Sequence, residues 1–361
     1  MQNHIQILEK DFLNCDDIIT LLSLNKEQAN DLFKKSEQIK QKYVGNKVYY
    51  RGLVEMSNIC KKDCYYCGIR RSNKNVSRYE LGDKQIIDAV QYCYNNNFGS
   101  IVLQGGERTD KVFVDRVANL LREIKKLSNG ELGVTLSLGE QTLETYKMWK
   151  EAGAHRYLMR IEESNRELYQ KLHPDNDLHS FDERLAALKR IQDAGYQTGT
   201  GVMIGLPFQT VEHLADDLIF LREFNIDMVG MGPYIEHEDT PLFQYKDQLW
   251  PLEGRLFMSF KMYAILRIMM KDINIAATTA LQTIDPIGRE RVIRFAANVI
   301  MPNVTPGVVR KNYLLYENKP CVDEGADDCL DCLEKRLKLV NAEVGFNEWG
   351  DSKHFIERTK G

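Results

Sequence analysis

The stretch Val48-Tyr-Tyr-Arg-Gly-Leu-Val-Glu-Met56 runs directly into Ser57-Asn-Ile-Cys60-Lys-Lys-Asp-Cys64-Tyr-Tyr-Cys67. Its first half is rich in β-branched and aromatic side chains and reads as a strand. Its second half is polar, charged and cysteine-bearing, and reads as the loop after that strand. Outward from this pair the pattern repeats: strand-like runs fall at residues 48–56, 100–104, 133–138, 156–161, 197–204, 228–234, 274–283 and 299–302. Amphipathic, helix-period segments separate them at 84–97, 111–127, 141–152, 181–194, 211–224 and 252–270. Gly153 and Gly195 stand where helix C-caps are needed. A helix after each strand returns the chain to the same end of the sheet, so the strands are parallel. Eight such units predict an α/β fold, a (β/α)8 barrel of the TIM type. Residues 5–45 read as helical and stop at Gly45. The expected organisation is therefore a helical cap over 1–46, a barrel over 47–310 and a C-terminal extension over 311–361.

With 361 residues, 43% hydrophobic and 28% charged, the chain has the composition of a globular protein with a substantial core, which excludes disorder and collagen-like repeats. A net charge of −4 supplies no basic field for a phosphate backbone, so no nucleic-acid partner is expected. Glu9, Lys10 and Asp11 interrupt the first apolar residues, and no apolar run approaches the roughly 18 residues that span a bilayer. The expectation is a cytoplasmic protein with no membrane contact.

Barrel chemistry sits at the C-terminal ends of the strands. The polar and glycine-bearing segments fall there: 58–71, Gly105-Gly106-Glu107, 137–140, 162–165, Gly205-Leu206-Pro207 and 302–306. Of the eight cysteines, Cys15 and Cys93 stand alone, and the other six form two triplets. Cys60, Cys64 and Cys67 follow the first strand as C-x3-C-x2-C. Three thiolates on so short a loop can hold three corners of a 4Fe-4S cube, leaving one iron open to the amino and carboxylate groups of S-adenosylmethionine (SAM). Zinc, or unbonded structural thiols, are the alternatives. Zinc normally takes four ligands, and a fourth would have to come from a distant residue such as His155 or His173. The seven histidines form no H-x-H or H-x3-H pair, which gives a zinc enzyme no support.

The triplet, with Gly105-Gly106-Glu107 one βα unit later, resembles the radical SAM family. That resemblance implies a cluster that cleaves SAM reductively to a 5′-deoxyadenosyl radical. It also implies that Tyr66 lies against the adenine, that Gly105, Gly106 and Glu107 meet the SAM amino group, and that Met203 and Ile204, within Gly201-Val-Met-Ile-Gly205, line the adenine site. Ser137, Glu162 and Arg184 match further SAM-binding positions. A carboxylate suits ribose hydroxyls, and a guanidinium suits the SAM carboxylate. The bland readings of these residues are a core aromatic, a turn and surface ion pairs.

A narrower resemblance rests on Tyr50-Arg51-Gly52, Cys67-Gly-Ile-Arg-Arg-Ser-Asn73, Leu103-Gln-Gly-Gly-Glu107, Thr135-Leu-Ser-Leu-Gly-Glu140, Arg156-Tyr-Leu-Met-Arg160-Ile-Glu162, Ala277-Thr278-Thr279-Ala280, Ala297-Asn-Val-Ile-Met-Pro-Asn303 and Cys321-x7-Cys329-x2-Cys332. Together these are similar to the HydE family of FeFe-hydrogenase maturases, over residues 45 to 335. The resemblance implies a small organometallic iron–cysteine substrate carrying CO and cyanide, companion hydrogenase maturases, and a low-potential electron donor such as ferredoxin or flavodoxin. It places Arg51, Arg160, Thr278 and Thr279 in an anion-binding cavity. It also allows a second cluster, 2Fe-2S or 4Fe-4S, at Cys321, Cys329 and Cys332, either auxiliary or an adventitious, dispensable surface cluster, to which no catalytic role is assigned. The family's pattern commonly has His where this chain has Ile161. Methylornithine synthase is the rival enzyme, weakened by that second triplet. Biotin synthase would need barrel cysteines that are not found after the second and third strands. A non-enzymatic iron–sulfur carrier would leave Glu107, Glu162 and Arg184 unexplained.

Overall fold

Parallel strands close into a ring in the computed structural model, which describes residues 4–322 and 333–360. β1 (Lys47–Ser57) pairs with β2 (Ser100–Gly105), followed in order by β3 (Gly133–Ser137), β4 (Arg156–Leu158) and β5 (Gln197–Thr200). β6 (Met203–Ile204) then lies beside the upper end of β7 (Met228–Pro233), and β8 (Asn274–Ala277) and β9 (Val299–Ile300) complete the ring. Closure comes from β9 against β1, through Tyr49 with Val299 and Tyr50 with Ile300. Eight strands, β1 to β5 and β7 to β9, therefore form the expected (β/α)8 barrel among the described residues.

Three helices precede the barrel: α1 (His4–Leu8), α2 (Cys15–Leu22) and α3 (Ala29–Tyr43). The sequence pattern suggested one helical segment here. The break between α2 and α3 is fixed by reciprocal bonds between Asn25 and Gln28, each side chain accepting the other's amide N–H. The outer helices are α4 (Asp83–Asn95), α5 (Lys111–Leu127), α6 (Leu143–Glu151), α7 (Arg166–Lys171), α8 (Phe181–Asp193), α9 (Val211–Glu223), α10 (Leu252–Met269), α11 (Thr279–Ile284) and α12 (Gly288–Phe295). Their starts are coded locally. Asp110, Thr142, Asn165, Ser180 and Thr210 each accept an otherwise orphaned first-turn amide with a side-chain oxygen. α2 packs on α9, and α3 on α10 and α12, where buried Ser36 donates to the Phe295 carbonyl at 2.8 Å. Among the described residues, no helix is long and apolar enough to cross a membrane.

Strand and helix side chains such as Val54, Leu103, Leu136, Val229, Ile275, Leu121, Leu188 and Leu218 are fully buried in one continuous core. Each contributes about 1.5–3 kcal/mol of burial. Several strands end sooner than their apolar patterns suggest. The run at 197–204 is split after Thr200 because Gly201 lies against β7: a Cβ there would sit 1.8 Å from the Gly230 carbonyl oxygen. The run at 274–283 leaves the sheet at Ala277 and becomes α11 from Thr279. The run at 156–161 is strand only to Leu158.

The chain's last residues close the opposite, N-terminal end of the ring. A short strand, β10 (Glu343–Val344), pairs with Lys47 and Val48 at the start of β1. The residues beyond it then cross beneath four strands. The Gly350 carbonyl accepts from Arg51 Nη2 at 3.2 Å and from Asn274 Nδ2 at 2.8 Å. Asp351 Oδ1 accepts from Arg156 Nη2 at 3.1 Å and from Gln197 Nε2 at 2.8 Å. Arg51 and Arg156 are fully buried, so these acceptors offset part of the cost of taking two charges out of water. Arg51 thus stands at the end of the barrel away from the cysteine loop, which corrects its expected place in the anion-binding cavity.

Burial acts to raise the Asp351 carboxyl, but the nearby His155 ring, the Arg156 charge and the Gln197 amide together hold it below the usual carboxylate range. The resulting stability is complete above the unfolded-state value near 3.9 and is lost as pH falls below it. Asp351→Ala should therefore lower stability by about 2–3 kcal/mol at pH 7. Denaturant titrations should show the gap to the unsubstituted protein narrowing below about pH 4.

Candidate active site

The cysteine loop leaves β1 at Ser57 and is tied down by its own residues. Asp63 Oδ1 accepts from the Ser72 amide at 3.0 Å and from Arg70 Nη1 at 3.2 Å, while Arg78 Nη1 donates to the Asn58 and Ile69 carbonyls, each at 2.7 Å. The Gly-Gly-Glu turn after β2 docks against this loop through the backbone. The Gly106 amide donates to the Ser57 carbonyl at 2.9 Å, and the Lys61 amide to the Glu107 carbonyl at 2.9 Å. Gly106 is required, since a Cβ would lie 2.3 Å from the Ile59 carbonyl oxygen. Gly105 is less constrained, its nearest contact being 3.3 Å from the Ser57 carbonyl oxygen.

Above the ring lies a cavity of roughly 360 Å³, within the usual range for small-molecule sites. Cys60, Cys64, Cys67, Tyr66, Gly105, Gly106, Glu107, Ser137, Glu162, Arg184, Met203, Arg160, Thr278 and Thr279 all line it. Ile204 is buried but lies behind the lining. Arg51 is at the far end, as described above. Cys321 borders a smaller adjoining pocket, and Cys329 and Cys332 lie outside the described residues.

The three thiols fit a shared metal cluster. Burial raises Cys60, burial lifts Cys64 to about 12, and burial with the neighbouring Cys64 and Cys60 charges raises Cys67. Thiols so placed stay protonated until a metal compensates their charge. The Glu107 amide donates to Cys60 Sγ at 3.3 Å, the kind of N–H···S contact that tunes iron–sulfur centres. Among the described residues no three His, Cys, Asp or Glu side chains converge on one ion. A cube spreads its ligands over separate irons and needs no such convergence.

Charged groups around the thiols form two nodes. At the first, Glu140 lies 2.7 Å from Lys62 Nζ and 3.0 Å from Arg184 Nε, with Glu107 3.5 Å from Lys62. Burial acts to raise Glu140, but Arg184 and Lys62 outweigh it and keep it ionised. At the second, Glu162 Oε2 lies 2.9 Å from Arg160 Nη2. Proximity here is not hydrogen bonding: Glu162 Oε2, Arg184 Nε and Glu107 Oε1 are buried and make no aligned hydrogen bond. Alignment decides here, because a hydrogen bond weakens steeply with angle. Two carboxylate oxygens and a guanidinium N–H are thus left for an amine, a hydroxyl and a carboxylate, the groups that SAM carries. Glu162 has φ +69°, a strained value for a residue with a side chain, as is common where a ligand is gripped.

The sequence reading missed Lys62 and Glu140, although both stand in quoted motifs, because a lysine between cysteines reads as solvated. It also missed Glu55 and Lys319, a buried ion pair in which Glu55 Oε2 accepts from Asn303 Nδ2 at 3.1 Å. A carboxylate inside the apolar run Leu53-Val54-Glu55-Met56 was the available signal. Tyr313, Tyr316 and Arg289 join the lining from segments with no strand pattern. Apart from the thiols, the lining carries five cations, Lys62, Arg160, Arg184, Arg289 and Lys319, against three carboxylates, Glu55, Glu107 and Glu162.

Glu140→Ala should strand Lys62 and Arg184 in a buried setting, lowering stability by about 3 kcal/mol in urea unfolding. Glu140→Gln should recover part of that loss.

Residues 54–221 match the radical SAM superfamily. The FeFe hydrogenase maturase subunit HydE of Thermotoga maritima is 45% identical over 93% of this chain and 93% of its own length. The 3-methylornithine synthase of Methanosarcina acetivorans is 26% identical over 82% of this chain and 81% of its own. The crystal structure of methylornithine synthase (PylB) superposes with a TM-score of 0.78 at 23% identity, covering 95% of this chain and 97% of that one, which shows a common fold. A high-identity match along nearly the whole chain, on a barrel whose C-terminal end gathers the three cysteines and the Gly-Gly-Glu turn, makes this protein a radical SAM enzyme and a member of the HydE family of FeFe-hydrogenase maturases.

Proposed function

We propose that the chain holds a 4Fe-4S cluster on Cys60, Cys64 and Cys67 and cleaves SAM there. We propose further that it acts on a small anionic organometallic iron–cysteine complex carrying CO and cyanide, in assembly of the hydrogenase diiron subcluster. The observation that carries this reading is the joint lining of one cavity by three thiols, by Glu107 and Glu162 with their unbonded oxygens, and by Arg160, Thr278 and Thr279. When bound, cluster and SAM supply a low-potential electron and a 5′-deoxyadenosyl radical. The chain's own residues bind and orient. Tyr66 offers an aromatic face and Met203 an apolar wall for the adenine, with Gly105, Gly106 and Ser137 close by on the β2 and β3 ends.

Glu107 suits the SAM ammonium, Arg184 its carboxylate and Glu162 the ribose hydroxyls. Farther in, Arg160 donates to the Val202 carbonyl at 2.8 Å and keeps its remaining donors for the cavity. Thr278 Oγ1 donates to the Met231 carbonyl at 2.9 Å, which leaves its lone pairs inward, while Thr279 opens α11. First-turn amides and a guanidinium suit an electron-rich, cyanide-bearing iron complex. The family further supports companion maturases as partners, a ferredoxin or flavodoxin as electron donor, and a cytoplasmic setting. An auxiliary cluster at Cys321, Cys329 and Cys332 remains part of the proposal on the sequence alone.

Anaerobic reconstitution, reduction and addition of SAM should give 5′-deoxyadenosine or a substrate-bound adenosyl product. Cys64→Ala should abolish it by removing one cluster ligand. Arg160→Met should weaken the iron complex by about 10–100-fold, the expected loss of one charge-assisted hydrogen bond, and should weaken SAM binding by a smaller factor because Glu162 loses its countercharge. A folded, cluster-loaded protein that neither binds nor cleaves SAM would sink the reading.

A further inference from the structure

The cysteine loop donates four hydrogen bonds to one short piece of chain beyond β4, the end of α7 and the 3-10 turn Asp177–His179. The Tyr65 amide donates to the Leu172 carbonyl at 3.0 Å. Lys62 Nζ donates to the Leu178 carbonyl. The Asp63 amide donates to His179 Nε2 at 2.8 Å, and the Tyr66 hydroxyl lies 3.1 Å from His173 Nε2. Residues 62, 63, 65 and 66, the interior of C-x3-C-x2-C, are therefore all held from the same side.

Ring tautomers follow from the partners. An amide N–H can only donate, so His179 Nε2 carries no proton. Its Nδ1 then holds the proton and donates to Asn176 Oδ1 at 2.7 Å. For His173, Nδ1 faces the Tyr169 carbonyl at 2.8 Å, which can only accept, so that nitrogen is the donor and Nε2 is left to accept from Tyr66. Both rings are buried. His173 is consequently not free to ligate a metal, as the zinc alternative would have required.

We infer that His179 and His173 are positioning residues for the cysteine loop, fixing through Nε2 the backbone between Cys60 and Cys64 and the ring that precedes Cys67. A second partner on each Nδ1 locks the tautomer, in the way that outer groups orient metal-binding side chains. Without the His179 acceptor, the Asp63 amide loses its partner and the spacing of the first two thiols is no longer set. Without His173, the Tyr66 hydroxyl is unpaired and its ring can turn. The inference rests on the cluster proposed at these cysteines.

The test uses the full chain, reconstituted anaerobically, in three variants. His179→Phe removes the acceptor, His179→Gln offers Oε1 in its place, and Asn176→Ala frees the tautomer from an exposed position. Iron content, thermal unfolding, the EPR spectrum of the reduced cluster before and after SAM, and SAM affinity are measured for each. His179→Phe should still bind iron, with its SAM-free spectrum broadened or split, and should bind SAM about 10-fold more weakly, the scale of one lost buried hydrogen bond. His179→Gln should restore a single species, and Asn176→Ala should shift the same readouts to a smaller degree. Should His179→Phe fail to fold, Asn176→Ala decides, and wild-type-like spectra and SAM affinity in it would then overturn the inference. Wild-type-like spectra and SAM affinity in His179→Phe and Asn176→Ala, or no recovery in His179→Gln relative to Phe, would overturn the inference. A wild-type cluster that ignores SAM would instead defeat the SAM reading, and the SAM-free spectra would still judge the histidines.

Discussion

A cation carried into a closed barrel must bring or meet an acceptor, because an unpaired buried charge costs several kcal/mol. Much of the interior follows from that constraint. Arg51 and Arg156, too far down to reach the mouth, draw the chain's own C-terminal residues beneath the ring and fasten to the Trp349 and Gly350 carbonyls and to Asp351. Lys62 and Arg184 share Glu140, Lys319 takes Glu55, and Arg160 takes Glu162. The lower pairings tie the interior to a neighbouring part of the chain and plug that end. At the mouth, the unbonded atoms Glu107 Oε1, Glu162 Oε2 and Arg184 Nε belong to residues that line an open cavity, so the same electrostatic requirement leaves that end ready for a ligand.

The barrel itself was legible because its signals are local. Alternation of strand and helix, and cap residues such as Ser180 and Thr210, need no knowledge of distant contacts. Strand ends were read less well because one of them is decided across the sheet. Gly201 breaks its strand only because Gly230 presses against it, and nothing between residues 197 and 204 announces that neighbour. The N-terminal break was also missed, although Asn25 and Gln28 gave a local clue.

Site residues divide along the same line. Cys60, Cys64, Cys67, Tyr66, Gly106 and Glu107 sit on two adjacent βα loops, and barrel order alone brings them together. Arg51 shows where that logic stops. Its side chain is fully buried inside the barrel, but an interior has two ends, and only the register decides between them. Arg51 pairs with Ser100 at the first residue of β2, whereas Ser57 pairs with Gly105 at its last. Six residues of strand therefore separate Arg51 from the cysteine loop, about 20 Å at the usual rise. Lys319, by contrast, reaches the cavity from a segment with no strand at all.

The join between the first two loops also explains why the Gly-Gly-Glu turn has its composition. Gly106 lets two backbones meet, and the contact places the next amide, that of Glu107, on Cys60 Sγ. The same residue turns its side chain toward the Glu140 amide, which Oε2 accepts at 3.0 Å, so its Oε1 is fixed in direction and left unbonded. One residue thereby orients a thiol with its backbone and presents a carboxylate oxygen with its side chain. An Asp at this position would keep the first function and lose the second, since a side chain shorter by one methylene cannot reach the Glu140 amide from the same backbone. A carboxylate held at a set distance from a thiol is what binding one molecule to both an iron and a protein group demands, and here the geometry comes from the close contact of two loops.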